Sequence, residues 1–135
     1  MLLFVAGVPS PQGSKNAFRR GSKIVLVESS KALPEWRRRL VEAFKPFEGL
    51  STNPGYENGV TVSVEFYLPR PKSVKRQYPT TKPDLDKLIR SVGDALEIAG
   101  VIDGDSKIVQ WVASKYYADD MEPGVTIEVT GHAVI

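Results

Sequence analysis

The sequence predicts a small α/β domain, with two helices on one face of a mixed β-sheet and residues 1–135 forming a single unit. Three observations carry this. Short apolar stretches bounded by turn residues recur at Leu2–Gly7, Lys23–Glu28, Val60–Leu68, Ile108–Tyr117 and Val125–Thr130, as strands do. Two longer stretches repeat apolar residues at helical spacing instead. A chain of 135 residues, 41% hydrophobic and 25% charged, suits one modest core.

Taken in order, Leu2–Gly7 is apolar throughout, the pattern of a strand buried on both faces. It lacks the basic n-region and the length of a signal peptide. Val8–Lys23 (VPSPQGSKNAFRRGSK) collects Pro, Gly, Ser and basic residues without periodicity and reads as a surface loop. Lys23–Glu28 follows as a short strand, a hairpin arm turning at Arg20-Gly21-Ser22. A helix capped by Ser29 or Ser30 runs to about Lys45, with Pro34 in its first turn and Leu33, Trp36, Leu40 and Phe44 on one face. Pro46–Gly59 is a connecting loop. Val60–Leu68 alternates apolar and polar residues, as a half-buried strand does. A basic, Pro-rich loop (Pro69–Pro83) leads to a second helix from Asp84 to about Ala99, with Gly100 in the usual stop position. The last two strands are joined by the acidic turn Ala118–Gly124.

Several classes fall away on composition. Without cysteine there is no disulfide framework and no thiolate zinc site. No apolar run has the length of a membrane span, and the expected location is the cytoplasm. The net charge of +2 hides an uneven distribution. Residues 1–82 hold 14 Lys and Arg against 6 Asp and Glu, while residues 83–135 hold 4 against 10. A basic front half attracts a polyanion and an acidic back half gathers divalent cations, although solvated surface alone also produces such asymmetry.

The strongest local feature is Lys82-Pro83-Asp84-Leu85-Asp86 at the start of the second helix. On an ideal helix the two aspartates point about 200° apart, given a step of about 100° per residue. They converge on one ion only if Asp84 remains in extended chain, where alternate residues share a side. Taken alone, acids at this position cap the helix and favour its dipole. Leu85, Leu88, Val92, Leu96 and Ala99 form the buried stripe; Asp86, Arg90, Gly93, Asp94 and Glu97 lie opposite. Glycine inside a helix costs about 1 kcal/mol against alanine, so Gly93 suggests close approach by a backbone or a ligand. A second acidic cluster, Asp103-Gly104-Asp105-Ser106, follows the helix and by itself reads as a turn.

Both clusters fit one pattern. The stretch KPDLDKLIRSVGDALEIAGVIDGDSKIV, Lys82 to Val109, resembles the RusA family of Holliday-junction resolvases of bacterial prophages and phages. In that family a D-L-D-N-L segment opens a helix, D-A-L-x-x-A-G closes it, and an acidic D-D-x-Q-V/I segment precedes the next strand. The resemblance implies a RusA-like fold and a magnesium-dependent endodeoxyribonuclease, with Mn²⁺ as the other candidate ion. It matches Asp84, Asp86 and Asp105 to the family's metal-binding carboxylates and leaves Asp103 as either a fourth carboxylate or a turn residue. Lys87 stands where the family usually has Asn, and Arg90 where it has a catalytically important Lys. Arginine does not release its proton at usable pH, so Arg90 is expected to stabilise charge or hold a phosphate. The resemblance further implies branched DNA as partner and a homodimer, since a junction offers two symmetry-related strands.

Hard, oxygen-seeking magnesium suits carboxylates, and metal-assisted hydrolysis of a phosphodiester needs neither Cys nor His. His132, near the end, is read as a tail residue without a role. Lys15, Arg19, Arg20 and Lys23 in the first loop, and Lys72, Lys75, Arg76 and Lys82 in the second, are expected to hold the DNA backbone, together with Lys87. Phe18 and Tyr78 are candidates to stack on bases, or else packing residues. Arg37-Arg38-Arg39 spreads around an exposed helix. Two other functions compete: a non-catalytic module that binds branched DNA, and a flap or fork nuclease of looser specificity.

Overall fold

The computed structural model describes residues 1–13, 15–21, 23–28 and 31–134, with all their side chains except those of residues 15–20 and 23–28. Eight elements follow one another: β1 (Leu2–Ala6), β2 (Lys15–Arg20), β3 (Lys23–Glu28), α1 (Leu33–Phe44), β4 (Val60–Leu68), α2 (Leu85–Ile98), β5 (Ile108–Tyr117) and β6 (Gly124–Gly131). Four strands form a mixed sheet in the order β1-β6-β4-β5. β6 runs antiparallel to both β1 and β4, whereas β4 and β5 are parallel. Parallel neighbours require a crossover, and α2 supplies it. β2 and β3 pair separately as an antiparallel hairpin. This is the α/β class that the sequence predicts.

Alternation along the strands decides where the core lies. Val60, Val62, Val64, Phe66 and Leu68 of β4 and Val125, Ile127 and Val129 of β6 are all buried. They meet Leu33, Trp36, Leu40 and Phe44 of α1 and Leu88, Val92 and Leu96 of α2 in one cluster. Each fully buried side chain of this kind contributes about 1.5–3 kcal/mol. One polar contact crosses the core: Trp36 Nε1 donates to Ser91 Oγ at 3.3 Å, and Ser91 Oγ donates to Leu88 O at 2.7 Å.

Among the described residues no helix covers the opposite face of the sheet. Leu2 and Phe4 of β1 are 65% and 41% exposed there. β1 is therefore an edge strand with one outward face, not the doubly buried strand its apolar run suggests. The segment Lys15–Arg20 is likewise a strand rather than loop. It shows no apolar alternation, and pairing with β3 supplies its order. α1 begins at Leu33 with Ala32 at the cap position, making no side-chain cap hydrogen bond. The caps expected at Ser29 or Ser30 lie outside the described residues. Among the described residues no helix is long and apolar enough to cross a membrane.

The ends of α2 follow their sequence signals. Asp84 has extended backbone (φ −69°, ψ 139°), and helical geometry starts at Leu85. At the other end Gly100 takes φ +76°, a left-handed conformation that glycine adopts without strain. Gly100 N donates to Glu97 O and Val101 N to Leu96 O, both at 3.0 Å. These two bonds satisfy carbonyls that a bare helix end leaves open.

Candidate active site

Between α2 and the start of β5 lies a pocket of about 240 Å³ lined by Asp86, Ile89, Arg90, Gly93, Asp94, Asp105, Ile108 and Trp111. Asp86, Arg90 and Asp94 are spaced four residues apart on α2 and so share one side of the helix. Asp105 opens a 3₁₀ turn, Asp105–Lys107, that leads directly into β5. The chain thus brings Asp86, Arg90 and Asp105 to one cleft and sets Asp94 among them. Asp84 stands outside this lining, its side chain half exposed and its carboxylate 3.8 Å from Lys87 Nζ. Asp103 is also outside, 4.0 Å from Lys107 Nζ. Among the described residues no three carboxylates stand close enough to hold one ion with their side chains as they are. The donors are nevertheless all carboxylate oxygens, without sulfur or imidazole, which fits a hard divalent cation.

Gly93 lines this cleft, and the described group nearest to it is a side chain: a Cβ there would lie 3.4 Å from the Trp111 ring, an ordinary contact. Gly13 is different. Its φ is +100°, and a Cβ would collide with Arg90 Nη1. Arg90 therefore lies under the segment that precedes the basic hairpin.

Lys115, which sequence reasoning missed, fastens the approach to Asp84. Its amino group donates to Thr81 O and to Pro83 O, each at 2.8 Å. The available signal was its register: Lys115 follows Trp111 and Ala113 on alternate residues of β5, so a charge falls on the helix-facing side.

The second basic loop divides into scaffold and free cations. Arg70 bonds both oxygens of Asp119 at 2.8 and 2.9 Å, and donates to Val74 O and Arg76 O at 3.2 and 2.7 Å. Its guanidinium also lies 4.2 Å from the Tyr117 ring centroid. Hydrogen bonding by Arg70 holds the Asp119 carboxyl below the usual carboxylate range. Lys72, Lys75, Arg76 and Lys82 are exposed, and Arg76 reaches Thr81 Oγ1 at 3.3 Å. Tyr78 packs 6.2 Å from Tyr116, which itself stacks 5.7 Å from Tyr67. The side chains of Lys15, Phe18, Arg19, Arg20 and Lys23 lie outside those described.

The three arginines of α1 have partners. Arg38 pairs with Glu35 and Glu42, and Arg39 with Glu35. Arg37 donates to Gln12 Oε1, which sequence reasoning did not single out. His132 is not a loose tail: its ring nitrogen Nδ1 lies 2.9 Å from Thr61 Oγ1, and its backbone N–H donates to Gly59 O at 2.9 Å.

One cleft of this α/β domain is thus lined with aspartates and an arginine, a donor set that suits a divalent cation and a phosphate. The family described as Endodeoxyribonuclease RusA matches residues 6–130, and the chain belongs to it. It is also similar to a Bacillus subtilis (strain 168) protein bearing the name "Uncharacterized protein YqaN", at 30% identity over 139 residues, covering 93% of this chain and 92% of that one. Membership of the RusA family implies nuclease activity on Holliday junctions, binding of branched DNA and dependence on a divalent metal.

Proposed function

We propose that this protein is a Mg²⁺-dependent endonuclease that resolves four-way DNA junctions by paired, symmetric nicks, serving recombination and repair in the cytoplasm of a bacterium or phage-infected host. The observation that carries the reading is the shared cleft: Asp86, Arg90 and Asp105, three residues of the family's motif, line it together. In this reading Asp84, Asp86 and Asp105 hold the metal. A bound divalent cation lowers the pKa of its water, neutralises the phosphate and supports the leaving oxygen.

The chain's own groups do the rest. Arg90, permanently charged and close to Gly13, donates hydrogen bonds to the scissile phosphate. Lys115 ties residues 81 and 83 to β5 and so holds the extended approach to Asp84. Lys72, Lys75, Arg76 and Lys82, with the basic hairpin, hold the backbone of the DNA arms against an otherwise acidic cleft. Two sites are needed for two strands, so the working form is a homodimer about a two-fold axis. The uncovered sheet face, where Leu2, Phe4 and Val112 are exposed, provides an apolar surface for the second copy.

The test is nicking of an end-labelled synthetic four-way junction beside a linear duplex of the same sequence. Paired symmetric cuts in the junction alone, dependent on Mg²⁺, are expected. Cuts at flaps or forks without symmetry contradict the resolvase reading, and metal-dependent binding without cuts contradicts the enzyme.

A further inference from the structure

We infer that Asp94 is a working carboxylate of this cleft and that Gln12, oriented by Arg37, is its positioning residue. The inference rests on the metal-dependent reading above and adds a residue to it. Asp94 lies eight residues beyond Asp86, about 12 Å further along α2 at 1.5 Å per residue. Gly104, which precedes Asp105, lies beside the last turn of α2. A Cβ on Gly104 would lie 3.9 Å from Glu97 Oε1, and Glu97 is one helical turn past Asp94. Asp94 thus lines the same pocket as Asp86 and Asp105, and with them is the third carboxylate of its wall.

The orientation of Asp94 is set from outside its own helix. Gln12 Nε2 donates to Asp94 Oδ2, and Arg37 Nη2 donates to Gln12 Oε1. A guanidinium has only donors, so the amide must turn its carbonyl to Arg37 and its NH₂ to Asp94. The direction of the relay is fixed by chemistry. Gln12 N donates to Lys87 O at 3.0 Å, which binds the segment to α2. A helix-surface aspartate needs none of this. Here three segments distant in sequence fix one oxygen of Asp94, and the other has no hydrogen-bond partner among the described residues. We assign that free oxygen to the coordination or water shell of the cation held by Asp105.

The measurement is Mn²⁺ binding by the full chain without DNA, with free Mn²⁺ counted by electron paramagnetic resonance and folding followed by thermal melting. The variants are Asp94→Asn, Gln12→Met, their combination, Arg37→Gln, and Asp86→Asn and Asp105→Asn as references. Asp94→Asn should weaken Mn²⁺ binding by about 10- to 100-fold and Gln12→Met by about 10-fold, the range for groups that orient or support metal ligands. The combination should bind no more weakly than Asp94→Asn alone, because Gln12 acts through Asp94. Arg37→Gln, which removes the group that orients the amide, should reproduce Gln12→Met. A role in packing alone would lower the melting temperature and leave Mn²⁺ affinity unchanged. Wild-type affinity in Asp94→Asn, beside loss in Asp105→Asn, overturns the inference while leaving the metal site standing. Additive losses in the combination overturn the positioning role of Gln12. Wild-type affinity in both Asp86→Asn and Asp105→Asn overturns the metal reading and this inference with it.

Discussion

Replacing Lys72, Lys75 and Arg76 together by alanine should flatten the salt dependence of junction binding far more than replacing Arg37, Arg38 and Arg39. The structure separates the two sets. Arg38 and Arg39 are already neutralised by Glu35 and Glu42, and Arg37 is engaged by Gln12. Lys72 and Lys75 are exposed without an acidic partner among the described residues, where the Arg76 guanidinium bonds only the Thr81 hydroxyl. Each phosphate neutralised releases condensed counterions and contributes about 0.9 to the slope of log affinity against log salt. Three lost contacts therefore remove about 2.7, which over a fourfold rise in salt is roughly a 40-fold smaller loss of affinity. The helix triple variant should lose less than about one unit. Fluorescence anisotropy of a labelled four-way junction, titrated in Ca²⁺ at several salt concentrations, reads the slopes directly. An unchanged slope in the loop variant beside a flattened one in the helix variant would place the DNA on α1 and refute the reasoning.

Three further outcomes are expected. Ser91→Ala leaves the buried indole N–H of Trp36 without an acceptor and should cost about 1–3 kcal/mol in urea unfolding; a loss under about 0.5 kcal/mol would show the contact to be idle. Lys115→Met keeps the stem and removes both donors to Thr81 O and Pro83 O. It should raise the Mg²⁺ concentration for half-maximal nicking at a stability cost of only about 1 kcal/mol, and an unchanged Mg²⁺ dependence would deny it a role in placing Asp84. Hydrogen bonding and the charge of Arg38, with Arg39 adding, lower Glu35 from 4.5 to about 2. A carboxyl depressed in the folded state stabilises fully above its unfolded pKa and loses that contribution as pH falls through the folded one. Glu35→Gln should therefore flatten the acid limb of the stability profile between pH 4.5 and about 2, and an unaltered limb would contradict the assignment.

Much of this was legible in the chain because the signals were local. Val60–Leu68 and Ile108–Tyr117 have the bounds their apolar pattern gives, and Asp84 is extended as the D-x-D spacing requires for a shared ion. Pro83, Asp84 and Gly100 mark the ends of α2 by backbone chemistry that needs no partner. What escaped depends on partners far along the chain. KNAFRR has no period of its own and becomes a strand by pairing with β3. An apolar run such as Leu2–Gly7 does not reveal which of its faces is covered. Gln12, Arg70 and Lys115 act by binding groups 25 to 82 residues away, across three elements. Of the residues the motif singles out, Asp86, Arg90 and Asp105 line one cleft together with Asp94, and Asp84 lies outside it.

The account stands or falls on one comparison: the rate at which wild-type protein and Asp86→Asn nick a synthetic four-way junction in Mg²⁺, measured with junction affinity in the same preparations. Removing one carboxylate disables the metal site and reduces repulsion of phosphate. The expected result is loss of nicking with binding equal to or tighter than wild type. Full cleavage by Asp86→Asn, or wild-type cleavage undiminished by a chelator, would contradict a nuclease that works through this cleft.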